Sequence, residues 1–112
     1  MAVYTSNLTI NTGTTFSQVF TLESAATNSA TDLTGFTANA QMRKHADAIT
    51  FTNFTTQIIN ATGGIIRVGL STSQTAALKP GRHVYDVLIT DTSGEVTRVL
   101  EGSVLVRQGA TR

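Results

Sequence analysis

Residues 79–107, KPGRHVYDVLITDTSGEVTRVLEGSVLVR, limit the possible folds more than any other stretch of the chain. Pro80 cannot continue a helix and Gly81 eases the turn that follows, so the stretch opens on a start signal. Tyr85, Val87 and Ile89 then alternate with Val84, Asp86 and Leu88. Both faces are largely apolar, which places this strand centrally. Asp91-Thr92-Ser93-Gly94 makes a tight reversal, and residues 95–100 return antiparallel beside the first strand. Gly102 interrupts the return before Val104 and Val106, as a bulge would, or a bend that carries the last segment to another sheet. The pattern indicates an all-β domain and names no chemistry.

The chain before this hairpin repeats the same grammar. Leu8 and Ile10 alternate with polar neighbours until Thr12-Gly13 ends the strand. Residues 14–22 form a second strand, with Phe16, Phe20 and Leu22 on one face and Gln18 as the exception. Residues 23–31, ESAATNSAT, are small, polar and aperiodic, so they form a surface loop. Asp32-Leu33-Thr34-Gly35 supplies an Asx-type turn and a glycine that tolerates positive φ. Phe36, Ala38, Ala40 and Met42 then alternate with polar residues. The small Ala38 and Ala40 imply that the opposite sheet or a short helix packs closely over them. Residues 43–48 form a polar connection, and Ile49, Phe51 and Phe54 bring apolar side chains back.

Residues 54–60 and 65–70 flank Ala61-Thr62-Gly63-Gly64 and form a hairpin, with Ile66, Val68 and Leu70 on one face. Gly69 on the other marks a bulge or a close backbone approach. Ser71-Thr72-Ser73-Gln74 fits a capping box opening a helix over residues 72–78. Its apolar content is Ala76, Ala77 and Leu78, and it plugs one end of the molecule. Residues 108–112 fray unless a partner holds them. The whole reads as one domain, an antiparallel β-sandwich of seven to eight strands with one short helix.

At 112 residues a single domain buries roughly 65% of its unfolded surface without staples. Cysteine is absent, which excludes disulfides, thiolate metal sites and thiol nucleophiles. A charged fraction of 13% and a formal net charge of +1 give no sign of a nucleic-acid or anionic-membrane surface. No apolar run approaches the ~20 residues that cross a bilayer, and no signal-peptide pattern opens the chain. A protein or a glycan is the expected partner.

No residue set identifies an enzyme. His45 and His83, with Asp32, Asp47, Asp86 and Asp91 as potential companions, lack metal-ligand spacing and read as surface or strand-end histidines. No serine or threonine sits in a nucleophile frame such as G-x-S-x-G. The acidic residues are scattered over loops, and the chain has no Trp and two Tyr for a sugar-stacking platform. The N-x-T matches at Asn7, Asn53 and Asn60 are expected by chance in so threonine-rich a chain. Asp86, a carboxylate among aliphatic residues, calls for a cation. Hairpin closure sets Arg98 across from Val87 or Leu88, diagonal to Asp86, where the two form a partly buried ion pair whose loss costs several kcal/mol.

Three segments, TGTTFSQVFTL, TDLTGFTANAQMRK and AALKPGRHVYDVLITDTSGEVTRVLEGSVLV, together resemble a widespread type of small bacteriophage virion protein. Their layout is similar to the N-terminal domain of phage baseplate upper proteins: a G-x-T-F strand, a D-L-T-G-aromatic turn into an R-K-ended strand, and a P-G-x-x-x-Y-D strand followed by a hairpin. The resemblance spans residues 12–106. It implies an immunoglobulin-like sandwich in which Gly35, Pro80, Gly81 and Gly94 serve turns and Tyr85, Asp86 and Arg98 are framework. It carries over no catalytic residue, metal or cofactor.

It further implies a place in the virion after synthesis in the host cytoplasm, among other capsid or tail proteins and without nucleic acid or membrane. The unpaired backbone groups of an edge strand make a homo-oligomer or symmetric assembly the expectation. Baseplate upper proteins continue into a long receptor-carrying region whereas this sequence stops at Arg112, so capsid decoration or cement stands beside a tail or baseplate adaptor. An Ig-like carbohydrate- or surface-binding module is the alternative, with Tyr4, Tyr85 or loop aromatics as an exposed platform. The contact surface is expected in the loop over residues 23–31 or along an edge strand.

Overall fold

Each strand must bury one apolar stripe, and two sheets placed face to face accomplish that for all of them. A computed structural model of the chain describes residues 4–22, 32–45 and 47–109. The larger sheet holds β1 (Tyr4–Thr5), β2 (Leu8–Asn11), β4 (Thr37–Arg43), β5 (Thr52–Asn53), β8 (Gly81–Thr90) and β9 (Val96–Arg107). Its order is β1 and β2, then β9, β8, β4 and β5. The smaller sheet runs β3 (Phe16–Thr21), β7 (Ile65–Leu70), β6 (Thr55–Asn60), and a single-turn helix, α1 (Thr72–Ala76), follows β7. Because β1 and β2 are successive pieces of one edge strand along β9, the described residues form eight strands, within the seven to eight that the sequence indicates. No helix among the described residues is long and apolar enough to cross a membrane.

Pairing is antiparallel except at that edge, where β1 and β2 run parallel to β9 with Leu8 beside Val104 and Ile10 beside Val106. Local hairpins can yield only antiparallel neighbours, whereas a parallel pair needs a long connection. Here nearly the whole chain lies between the partners.

The facing surfaces carry the core. Leu8, Ile10, Ala40, Met42, Tyr85, Val87, Ile89, Val104 and Val106 enter from the larger sheet, and Phe20, Ile66, Val68 and Leu70 from the smaller. Burying each large aliphatic side chain contributes about 1.5–3 kcal/mol, so this layer drives folding. β8 does lie centrally, between β9 and β4, but only its inner face is covered. Val84 is exposed and Asp86 and Leu88 are half-buried, because none of the described residues forms a third layer on the outside. A bulge opposite Val87 and Leu88 inserts one extra residue in β9 and turns both Val99 and Leu100 into the core.

Phe54 closes one side of the sandwich. It is the single residue between β5 in one sheet and β6 in the other. Its N–H donates to the Ala40 carbonyl (2.9 Å), and the Thr56 hydroxyl donates to that of Ala38 (2.8 Å). The strand therefore changes sheets while still bonded to β4, and this corner is what packs close to the two alanines. The buried Phe54 ring lies 6.0 Å from that of Phe16 and meets Tyr85 edge-on at 6.2 Å. Ile49 (92% exposed) and Phe51 (48%) stay outside the core, so of the three apolar residues in that segment only Phe54 enters it.

The helix is shorter than the expected 72–78. Its capping box forms, with Gln74 N–H donating to Ser71 Oγ (3.3 Å) and Ser71 N–H donating to Gln74 Oε1 (2.8 Å). Ala76 and Ala77 are exposed, and the buried residue is Thr75, whose hydroxyl donates to the Thr14 carbonyl (2.7 Å). One turn can bury only one side, and a threonine satisfied by the neighbouring strand costs little there. At Gly69 a close approach replaces the expected alternative of a bulge, since a Cβ would come within 2.9 Å of the Phe16 carbonyl oxygen.

Gly102 neither bulges nor bends the strand between sheets. β9 passes through it as one twelve-residue strand of the larger sheet. Opposite Gly102 is Tyr85, and beside it the chain breaks between β1 and β2 at Ser6. A Cβ at 102 would collide with the Ser6 carbonyl, whose carbon would be 2.8 Å away. The Tyr85 hydroxyl donates to that carbonyl oxygen (2.6 Å), Ser6 N–H donates to Glu101 O (3.0 Å), and Ser103 N–H donates to Asn7 Oδ1 (3.1 Å). Burial pushes the Tyr85 phenol above its ordinary pKa.

Gly102→Ala is expected to lower the melting temperature by about 5–15 °C, corresponding to roughly 1–3 kcal/mol of overpacking. Hydrogen exchange should show protection lost first along residues 4–11; unchanged protection there would contradict the steric account. Tyr85→Phe leaves the Ser6 carbonyl without its donor and should cost about 1–3 kcal/mol at neutral pH. Since the folded-state pKa is raised, the tyrosine's contribution is complete below the unfolded value of about 10 and falls as pH rises through the higher folded value. Denaturant titrations from neutral to strongly alkaline pH should therefore show the gap between wild type and Tyr85→Phe closing above pH ~10.

Candidate functional site

Three surface regions gather polar side chains. The first is a shallow depression of about 590 Å³ on the outer face of the larger sheet, lined among others by Gln41, Arg43, Asp86, Leu88, Arg98 and Glu101. Register sets Gln41, Asp86 and Glu101 in one row across β4, β8 and β9, with Arg98 opposite Leu88. Arg98 Nε lies 3.2 Å from Asp86 Oδ2, the diagonal pair anticipated from the hairpin. Its surroundings differ from the expectation, however. The side chains are 53% and 36% exposed, so water screens the pair and it contributes about 0–1 kcal/mol rather than several. Arg43 is tied down: it donates to Ala48 O (2.6 Å) and Gln41 Oε1 (3.2 Å) and sits 4.6 Å from the Phe51 ring centre.

The second region is a cleft of about 380 Å³ at the end of the sandwich where β8 begins, lined in part by Lys44, Phe51, Leu78, Lys79 and His83. His83 is not on the surface. It points inward from β8 and is buried, with Nε2 2.9 Å from the Lys79 carbonyl oxygen. His45 is exposed in the preceding loop. Pro80 and Gly81 form the entry to β8, where Gly81 holds φ at +130°.

The third region is the opposite end, where two turns pack together. Asp32 Oδ1 accepts from the Thr34 hydroxyl (2.6 Å) and N–H (3.0 Å). Asp91 Oδ1 accepts from the Ser93 hydroxyl (2.7 Å) and from the N–H groups of Ser93 and Glu95 (both 2.9 Å). These donors hold both carboxyls below their ordinary pKa, with the Thr34 and Ser93 hydroxyls the largest influences. Gly35 (φ +80°) and Gly94 (φ +92°) complete the turns. A Cβ at Gly35 would press on Thr92 Cγ2 at 2.6 Å, so glycine is also what lets the turns touch.

Among the described residues no three of His, Cys, Asp and Glu come together in a way that could hold a metal ion. What the surfaces offer is charge and open backbone. Among the described residues β3 pairs only with β7, and the Leu22 N–H to Gly64 carbonyl bond (2.8 Å) fixes which residues face it. Ser17, Val19 and Thr21 consequently turn their backbone groups to the outer edge. The loop expected over residues 23–31 lies outside the described residues. Sequence reasoning missed Ser6, Asn7 and Thr75, three polar residues that fasten distant segments, because nothing distinguishes them from the many other small polar residues of the chain.

No protein-family model and no curated protein matches the chain. Among solved structures, the N-terminal domain of phage TP901-1 ORF48 matches with a TM-score of 0.56 at 11% identity, over 91% of this chain and 85% of that one. The fold is that of a phage protein's domain. At this identity the likeness concerns the arrangement of strands and transfers no residue role.

Asp86→Asn should lower stability by no more than about 1 kcal/mol, because the ion pair is largely hydrated. Denaturant unfolding at low and high salt reads this directly, and a loss of several kcal/mol would mean that the pair is desolvated.

Proposed function

We propose that this chain is a structural protein of a bacteriophage particle, a β-sandwich module attached to the virion as capsid decoration or cement or as a tail or baseplate adaptor. The observation that carries the reading is the shared fold with a phage protein's N-terminal domain across nearly the whole chain. The segments that resemble baseplate upper proteins contain β3, β4, β8 and most of β9 of that same sandwich. Its partners on this reading are other virion proteins, and its residues hold surfaces in place instead of transforming a substrate. The carbohydrate-binding alternative loses one of its aromatics, since Tyr85 is buried with its hydroxyl committed to Ser6.

Mass spectrometry of particles purified from cells that make the chain should find it at a copy number fitting a symmetric position. Cryo-electron microscopy then separates the placements, with density on capsid faces for decoration and density at the tail end for an adaptor. Absence of the chain from purified particles would overturn the reading.

A further inference from the structure

The charges of this chain are sorted along its long axis. β8 defines the direction, from Gly81 to Thr90, and the molecule measures 45 × 27 × 22 Å. β9 alone, with twelve residues at about 3.3 Å each, spans most of that length. At the end where β8 begins stand Arg82 on β8, Arg43 beside Val84, Lys44 next to it, Lys79 just before β8, and Arg107 at the end of β9. Asp47 is the one carboxylate among the described residues of that end. At the other end stand Asp91 and Glu95, in the turn joining β8 to β9, and Asp32, in the turn packed against it. The cation nearest them along β8 and β9 is Arg98, which lies opposite Leu88 and is engaged by Asp86. Between the ends, Arg67 and Arg98 balance Asp86 and Glu101, and the Arg98–Asp86 contact is the ion pair found among the described residues. The net charge of +1 thus conceals a strong dipole.

Shape follows charge. The cationic end is concave, with the 380 Å³ cleft edged by Lys44 and Lys79 and lined by the half-exposed Phe51. The anionic end is convex, a tight reversal whose tip, Thr92 to Gly94, is exposed. The geometry points to head-to-tail self-association, in which the acidic turn carrying Asp91 and Glu95 of one copy enters the cationic cleft of the next, between Lys44 and Lys79. A second copy is the occupant because both complementary surfaces belong to the same chain, one at each end of its long axis. A two-fold dimer through either end would set like charges together, so the contact is heterologous and builds a ring if its rotation closes and a filament if it does not. This rests on charge placement and not on the virion reading, which the particle mass spectrum tests separately.

Sedimentation velocity of the full chain at about 0.01 M and about 1 M salt, where the screening length falls from about 30 to 3 Å, is the first measurement. Concentration-dependent species larger than the monomer are expected at low salt and should revert to monomer at high salt. Lys44→Glu with Lys79→Glu, and separately Glu95→Lys, should each weaken self-association at least tenfold, with circular dichroism confirming the fold. Mixing the two variants restores one native junction and sets the two reversed ends, themselves of opposite charge, against each other. Mixed species that begin at a one-to-one heterodimer are therefore expected where neither variant associates alone. Should the double lysine variant fail to fold, Lys79→Glu with Arg82→Glu reads the same end. A wild type that stays monomeric at low salt, variants that associate like wild type, or a mixture without the heterodimer would each overturn the proposal.

Discussion

The sandwich depends on one crowded point, where the hydroxyl of Tyr85 meets the carbonyl of Ser6 beneath Gly102. Tyr85 comes from the central strand β8, Gly102 from its neighbour β9, and Ser6 from the break in the edge strand. The carbonyl occupies the space a side chain at 102 would fill, and the phenol donates to it at a half-buried position. Asn7 continues the repair by taking the Ser103 N–H that the kinked backbone no longer reaches. With these contacts the first segment of the chain is docked parallel to the last, and the larger sheet is complete. The same ring of Tyr85 meets Phe54, so the edge-strand anchor and the corner between the sheets share one residue.

That corner explains the open surfaces. Because β5 and β6 wrap from one sheet to the other, the side of the molecule at β4 is closed by covalent continuity. The other side is formed by β2 and β3, which end their sheets with backbone groups turned outward. The domain has a closed side, an open side and two ends of opposite charge. Register along an edge and charge at an end are both features by which a protein surface can discriminate between partners. The likeness to a phage protein's domain concerns this arrangement of strands and assigns no residue a role.

Much of this was legible in the chain. Alternation located β2, β4, β7 and β8, the Gly63-Gly64 pair located a hairpin, and Ser71 with Gln74 announced the helix start. The diagonal placement of Asp86 and Arg98 followed from turn position alone. Where reading failed, the cause was consistently a contact between residues far apart in sequence. Gly102 looked like a bend because a lone glycine in a strand can mean either a kink or a close neighbour, and Ser6, ninety-six positions earlier, decides between them. The outer face of β8 looked buried because Val84 and Leu88 are apolar, yet no layer among the described residues covers them. Ala76 and Ala77 looked like the helix's core contacts until Thr75 found a partner in Thr14.

By itself, the sequence determined the all-β class, most strand positions and the turns, because these depend on side-chain alternation and backbone conformation within a few residues. Tertiary structure alone decided that the first and last strands run parallel, that Phe54 carries the chain between sheets and that one face of β8 stays open. It also sorted the charges, since Arg43 and Lys79, or Asp32 and Asp91, become neighbours only after the strands between them have paired. Such long-range pairing is set by the packing of the whole core, which no local window of the chain contains.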